Sequence, residues 1–189
     1  MEIVNRVAES DLVVYDLAAL WDGRPVVELD LAPWLHRGLV LRERDFRAHL
    51  AAHDWSIYDG QHVAVYCSAD AIVPVWAFML VATRLSGAAS VAQGRAADLR
   101  RDHFARALAA EDWSRFADRP VVVKGCGNDV VPLAAYLDAT RRLQAVASKL
   151  MFGEPCSSVP LWRRPKAAPA ESAPAARPAA RPASLRPRA

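Results

Sequence analysis

Short runs of consecutive apolar residues alternate with longer amphipathic segments over most of the chain. Residues 62–67 and 120–124 are runs rich in β-branched side chains, which is typical of parallel strands buried on both faces. Residues 89–93 form a third run of the same kind. Because helical patterns separate these runs, we predict a β-α-β-α-β-α order with parallel strands and helices packed over the sheet.

Two of the predicted helices begin directly after a proline. The first covers residues 75–85 after Pro74, and the second covers residues 133–152 after Pro132. Proline suits the first helical turn, because the N–H that it lacks has no partner there in any case. The two strand–loop–helix segments therefore have the same layout.

Four further elements complete the prediction. Residues 41–52 and 96–110 have the apolar spacing of amphipathic helices. Residues 12–15 and 26–30 have strand patterns, and they form either a hairpin or an edge of the sheet. These two strands and helix 41–52 are an N-terminal β/α extension of the main fold, whereas helix 96–110 lies between the two strand–loop–helix segments.

An internal repeat organises the middle of the chain. At an offset of 58 positions, the segment Leu-Ala-Ala-His-Asp-Trp-Ser at 50–56 aligns with Leu-Ala-Ala-Glu-Asp-Trp-Ser at 108–114. Over residues 50–85 and 108–143, 13 of 36 aligned pairs are identical. We therefore predict a three-layer α/β fold whose mainly parallel sheet is built from two repeated units, at about residues 49–94 and 107–152.

The C-terminal segment differs in composition from the rest. Residues 163–189 are mostly Pro, Ala and Arg, with seven basic residues and one acid, so this tail is predicted to be disordered. The whole chain has a net charge of +3, which leaves residues 1–162 at −3. We expect one α/β domain over residues 1–162, with no specific nucleic-acid-binding surface.

The distribution of apolar residues also bears on location. No apolar run reaches the length of about 18–20 residues that a bilayer-spanning helix needs. The first six residues lack the basic and then apolar pattern of a signal peptide. We therefore expect a cytoplasmic protein that does not insert into a membrane, whereas its oligomeric state is left open.

The three cysteines carry the main chemical signal. Cys67 ends one predicted strand and Cys126 follows the other, so both lie at the carboxyl ends of parallel strands, where α/β sheets place ligand sites. Cys156 lies in a loop after the last predicted helix. Thiolates select Zn²⁺, Fe²⁺ or an iron–sulfur cluster. We predict a metal site of Cys67, Cys126 and Cys156, with Asp70 as fourth ligand, Glu154 or Asp129 as alternatives, and His53 and His62 as weaker candidates.

Two other roles for the cysteines stay open. Cysteine is often buried as a small apolar residue, and the chain has no Cys-x-x-Cys pair of the kind that marks a zinc site. A single reactive thiolate is the other alternative. Cys126 lies between two glycines, and Lys124 is close enough in sequence to stabilise its anion.

Several segments resemble a bacterial family catalogued as domain of unknown function 2480. They are the opening Met-Glu-Ile-Val-Asn-Arg at 1–6, the segments 38–47 and 53–56, and the three cysteine segments 67–74, 124–126 and 151–160. The resemblance covers residues 1–162 and leaves out the tail. It implies a family from Bacteroidota that is often encoded beside Suf-type iron–sulfur assembly components, and its recurrent segments contain all three cysteines.

The residues and the resemblance together give a functional hypothesis. We expect an accessory factor for iron–sulfur cluster assembly or metal handling, with Suf-type assembly proteins as partners. One alternative is a non-enzymatic adaptor with structural cysteines. The other is a thiol-dependent sulfur-relay protein. No catalytic residues are assigned.

Overall fold

The computed structural model describes residues 11–125, 129–155 and 157–165 as a mixed α/β protein with parallel-rich sheets. Within these ranges there are seven strands and four α-helices. The helices are, in chain order, α1 (Glu43–Ala52), α2 (Val75–Arg84), α3 (Ala96–Ala110) and α4 (Leu133–Val146). None of them is long and apolar enough to cross a membrane.

The strands form two separate sheets. Sheet 1 has the order β1-β5-β6-β7, and sheet 2 has the order β2-β3-β4. Sheet 1 consists of β1 (Val13–Asp16), β5 (Pro120–Lys124), β6 (Lys149–Glu154) and β7 (Ser157–Arg163), of which only β7 is antiparallel to its neighbour. Sheet 2 consists of β2 (Val26–Asp30), β3 (His62–Tyr66) and β4 (Ser90–Gln93), all parallel.

The prediction of one sheet containing both strand–loop–helix units is therefore wrong. The two N-terminal strands, predicted as a hairpin or a sheet edge, pair with different units, since β1 pairs with β5 and β2 pairs with β3. Helix α3 then carries the chain from one sheet to the other. It contacts all three strands of sheet 2 and also contacts α4, so it packs against elements of both halves.

The predicted helix over residues 133–152 is also wrong at its C-terminal end. Helix α4 stops at Val146, Ala147 is extended, and the chain continues as strand β6 beside β5. Leu150 is fully buried in β6 and pairs with Val121 of β5. Strand β7 was not predicted, because its Pro160 and exposed Leu161 break the alternation that marks a half-buried strand.

Each sheet has its own hydrophobic core. Core 1 lies between sheet 1 and helices α3 and α4, with the fully buried side chains of Phe104, Phe116 and Leu143 at its centre. Core 2 lies on sheet 2 with α1 and α2, around Phe46 and Val81. Because there are two cores, each sheet has a buried face, and the strand ends are available to carry loops.

The Asp-Trp-Ser segment at 54–56 is a structural corner. Asp54 Oδ1 accepts hydrogen bonds from the backbone N–H and the Oγ of Ser56, at 3.1 and 2.6 Å. The Trp55 indole N–H donates to the carbonyl of Leu50 at 2.8 Å, which satisfies a C-terminal carbonyl of α1. The corner thereby fixes the path from helix α1 into strand β3.

The second Asp-Trp-Ser segment, at 112–114, has the same bonds. Asp112 Oδ1 accepts from the N–H and Oγ of Ser114 at 3.0 and 2.6 Å, and the Trp113 indole donates to the Leu108 carbonyl at 3.2 Å. It fixes the path from α3 into β5. Both segments therefore have the same structural role, which is to hold the end of a helix to the following strand.

Candidate functional site

The carboxyl edge of sheet 1 is the first candidate site. Strands β5 and β6 are parallel neighbours, and Val123 pairs with Phe152 in their register. Gly125 follows β5 and Glu154 ends β6, so these two residues lie at the same edge of the sheet. Cys126 and Cys156, which come one and two residues later, lie outside the described residues. The structure therefore brings together the segments that lead into both cysteines.

Two glycines shape this edge. A Cβ on Gly125 would overlap the ring of Phe152, which packs edge-on against Tyr136 at a centroid distance of 5.8 Å. Gly153 has a φ of +120°, and a Cβ there would lie 2.8 Å from the carbonyl oxygen of Ser157. Glycine is needed at both positions because neighbouring atoms approach the backbone closely. The edge is consequently a tight, well-packed surface up to the cysteine-bearing loop.

Lys124 at this edge already has a carboxylate partner. Its Nζ lies 3.3 Å from Oδ2 of Asp16, at the end of the neighbouring strand β1, and both side chains are 40% exposed. The ammonium group predicted as a candidate to stabilise a Cys126 thiolate therefore has an acidic partner on the neighbouring strand.

Cys67 lies on the other sheet. It directly follows β3 of sheet 2, is half-buried and packs against core 2. Its Sγ lies 3.8 Å from the carbonyl oxygen of Ala69, and the side chain of Asp70 is exposed. In the described part of the chain, no three His, Cys, Asp or Glu side chains form a group suited to a metal ion.

The chain after Cys67 is held by Asp30 at the end of β2. Asp30 Oδ1 accepts the backbone N–H of Ser68 at 2.9 Å, and Oδ2 accepts its hydroxyl at 2.5 Å. The backbone N–H of Ala32 also donates to Oδ1, at 2.9 Å. Burial acts to raise the pKa of Asp30, but these hydrogen bonds outweigh it, and the pKa lies below its ordinary value. Asp30 therefore stays ionised and anchors the loop.

A polar network at the opposite edge of sheet 2 was not found from the sequence. His62 is 2% exposed, and its Nδ1 lies 2.7 Å from Ser90 Oγ while its Nε2 lies 2.9 Å from Asp22 Oδ1. The rings of Trp21 and His103 cover the imidazole, with centroids 4.7 and 5.4 Å away. Ser90 and Asp22 are remote from His62 in sequence, so no spacing signal could have revealed them.

This network satisfies a buried histidine and offers no open metal position. Burial acts to raise the pKa of Asp22, but the hydrogen bonds to His62 and from the Arg24 backbone lower it overall. His53, the other histidine that the sequence raised as a weak ligand, lies 3.1 Å from the Tyr58 hydroxyl and packs against Trp55. Both histidines therefore serve packing.

The architecture defines a mixed α/β protein with two parallel-rich sheets and cysteine-bearing loops at their carboxyl ends. The chain matches the family model described as "Protein of unknown function (DUF2480)" over residues 1–164, and it belongs to that family. This match confirms the family named from the sequence motifs. Searches of curated proteins and of solved structures found no match.

Proposed function

We propose that this protein binds a soft metal ion or an iron–sulfur cluster through its cysteines, as an accessory factor in iron–sulfur cluster assembly or metal handling in the cytoplasm. The observation that supports the proposal is the pairing of β5 with β6. It puts the residues next to Cys126 and Cys156 at one edge of one sheet. Thiolates from two neighbouring loops are a suitable start for a zinc or iron site.

The remaining ligands come from two directions in this proposal. Glu154 ends β6 at the same edge and is half-buried, so it supplies an oxygen near Cys126 and Cys156. Cys67 and Asp70 follow sheet 2, and they join the site only if the loops of the two sheets meet. The proposed site therefore rests on Cys126 and Cys156, and the participation of Cys67 can be tested separately.

The experiment is a metal analysis of the full chain purified without oxygen. We expect bound zinc or iron, with acid-labile sulfide if a cluster is present, and loss of that content in Cys126→Ser and Cys156→Ser. Cys67→Ser then shows whether the second sheet supplies a ligand. Val159→Ser, on the exposed face of β7 at 60% exposure, is the control at the same sheet and should retain full metal content.

A metal-free wild type contradicts the proposal, and so does a metal content unchanged in both Cys126→Ser and Cys156→Ser. Loss of metal in the Val159→Ser control as well would mean that the assay reports stability rather than ligation. Binding of a purified Suf-type scaffold protein, compared between wild type and the cysteine variants, tests the partner part of the proposal.

A second candidate function is a non-enzymatic adaptor. It is favoured by the contact of Cys67 with core 2 and by exposed apolar residues on α2, where Met79 is 63% exposed. In this alternative, Cys67→Ala lowers the free energy of unfolding while metal content and partner binding are unchanged.

We also propose that the two halves are copies of one unit within a layered α/β domain. The matching Asp-Trp-Ser corners and the two helices that begin after Pro74 and Pro132 support this idea. Each unit then consists of a parallel three-stranded core, with its first strand supplied from the N-terminal segment.

A further inference from the structure

Strand β4 is an unusually unprotected edge. Among the described strands, the other sheet edges are β1, β2 and β7, and each contains a charged residue or a proline: Asp16 in β1, Glu28 and Asp30 in β2, Pro160 and Arg163 in β7. Such residues discourage pairing with another chain. Strand β4, with the sequence Ser-Val-Ala-Gln, has neither.

The outer backbone groups of β4 are available for pairing. The N–H of Gly94 donates to the carbonyl of Val65 at 2.9 Å, and Val65 pairs with Gln93 in the register of β3 and β4. Because bonding residues alternate along a parallel strand, Ser90 and Ala92 face β3, and Val91 and Gln93 direct their N–H and C=O groups away from it. No strand in the described ranges pairs with this edge.

Sheet 1 shows what fills the corresponding position. Strand β6 follows α4 as β4 follows α2, and its outer edge is covered by the antiparallel strand β7. Trp162 of β7 pairs with Leu150 and packs against core 1. An antiparallel strand with an apolar side chain is thus compatible with this arrangement of helix and sheet edge.

An apolar groove lies beside β4 where such a side chain would fit. It has a volume of about 300 Å³ and lies between α2 and β4, with Phe78, Met79 and Val91 among its lining residues. Val75 and Met79, on the helical side, are 74% and 63% exposed. Apolar side chains this exposed at a free sheet edge are typical of an interaction surface.

The opposite face of the same edge is charged with both signs. The groove between β4 and α3 is lined by Asp98, Arg101 and Asp102, together with Gln93. A surface with acids and an arginine side by side is complementary to a copy of itself turned by a two-fold rotation. A partner whose facing surface carried only one sign of charge would be repelled either by the acids or by the arginine.

The C-terminal tail of this chain does not suit the β4 edge. Prolines recur at positions 165, 169, 174, 178, 182 and 187, so no stretch of the tail offers five residues without proline. Each proline lacks the N–H that a strand added to β4 must donate. The tail also carries no aromatic residue for the groove.

We propose that a second copy of this chain occupies the β4 edge. The two β4 strands pair antiparallel about a two-fold axis, so that two three-stranded sheets become one six-stranded sheet. Val91 of each copy exchanges backbone hydrogen bonds with Gln93 of the other, and Ala92 faces its own counterpart across the axis. The α2 helices then lie on one face and cover their exposed Val75 and Met79 side chains. The α3 helices lie on the other face, where Arg101 of one copy meets the acids of the other.

The test is the mass of the full chain in solution, measured by light scattering and sedimentation over a range of concentrations. We expect a species of twice 20.7 kDa. Met79→Lys should raise the dimer dissociation constant about tenfold or more, because it puts a charge into the apolar part of the contact. Leu137→Lys is the matched control, since Leu137 lies five residues after Pro132 as Met79 lies five after Pro74, and it is 62% exposed. It should leave the dimer unchanged.

Two further variants sharpen the result. Gln93→Pro removes an outward N–H and should also favour the monomer, provided that its circular dichroism matches that of the wild type. A chain that ends at Pro165 should dimerise as the full chain does. A wild type that stays monomeric at several hundred micromolar overturns the proposal. It is also overturned if Met79→Lys and Leu137→Lys have equal effects, or if removal of the tail abolishes the dimer.

Discussion

The corners of the two halves are alike, whereas their outer edges are not. At both corners an aspartate caps a short 3₁₀ turn and a tryptophan indole binds the last turn of the preceding helix, through Trp55 in one half and Trp113 in the other. At the outer edges, β6 is covered by β7, and β4 has no described neighbour beyond β3. The residues that hold a helix to a strand are therefore repeated, and those that face outward differ.

The strand ends differ in the same way. Ser68, which follows Cys67, is bound by Asp30, and Lys124, which precedes Gly125 and Cys126, is bound by Asp16. Each anchor is an aspartate at the end of a neighbouring parallel strand, but one holds a neutral hydroxyl and the other an ammonium group. The two halves thus have matching backbones at these strand ends but different side-chain groups. We expect the binding functions of the two loops to differ accordingly.

The largest expected effect comes from truncating the buried aromatic residue that ends the 3₁₀ turn in each half. Phe116→Ala removes a fully buried ring that contacts Tyr15 at 4.9 Å and Trp113 at 5.8 Å. Tyr58→Ala removes the ring at the matching position in core 2, which is 5% exposed. Each change should lower the free energy of unfolding by about 3–5 kcal/mol in urea denaturation.

Both variants should unfold in a single transition, because α3 contacts sheet 2 and also contributes Phe104 to core 1. Ile57→Ala, at a side chain that is 52% exposed beside Tyr58, is the control and should change stability little. Two separate transitions, or a large loss in only one of the two aromatic variants, would show that the halves are not energetically equivalent.

A smaller effect separates the covered edge from an open turn. Gly153→Ala places a side chain at a φ of +120° and 2.8 Å from the Ser157 carbonyl, so the expected loss of stability is about 2–3 kcal/mol. Gly60→Ala has a φ of +71° and nothing within 4 Å, so about 1 kcal/mol is expected. Thermal unfolding of the two variants gives the comparison, and equal losses would mean that the β6–β7 contact is loose.

The smallest effect concerns the anchor at the end of β2. Ser68→Ala removes the hydroxyl donor to Asp30, so the pKa of Asp30 should rise toward its ordinary value of 3.8. A carboxylate with a lowered pKa stabilises the fold above its unfolded pKa, and this stability is lost as the pH falls through the folded pKa. The variant should therefore lose less stability than the wild type as the pH falls below 3.8.

NMR titration of the Asp30 carboxyl carbon measures the pKa directly, with Thr83→Ala as a control that removes a hydroxyl from α2 far from Asp30 in sequence. An unchanged titration in Ser68→Ala would show that the backbone N–H groups of Ser68 and Ala32 alone hold the carboxylate.

Much of the secondary structure could be predicted because its signals are local. Strand β5 and helix α3 have the predicted bounds, and the proline-started helix α2 ends one residue before its predicted end. Segment 133–152 was misread because its apolar spacing also suits a helix followed by a strand, and only pairing with β5 decides between them. The division into two sheets depends on which strand pairs with β1, and no local sequence pattern specifies that partner.

The candidate site was less predictable than the fold. The register of β5 and β6 brings together Gly125 and Glu154, which precede Cys126 and Cys156 in sequence, whereas Cys67 follows a strand of the other sheet. The bonds of Asp30 to Ser68 and of His62 to Asp22 and Ser90 join residues far apart in sequence. Such contacts follow from the assembled fold, so a reading of spacing and composition could not reach them.

Val13 pairs with Val121, so the two paired strands β1 and β5 are synthesised at very different times. Strand β1 leaves the ribosome early, yet its partner is made only after the whole of sheet 2 has been synthesised. Until then a β-prone segment with an exposed Val14 waits unpaired, and closing so long a loop is slow. A cut between the two halves would therefore leave β1 on one fragment and β5 on the other. Neither fragment would then contain all the strands of sheet 1.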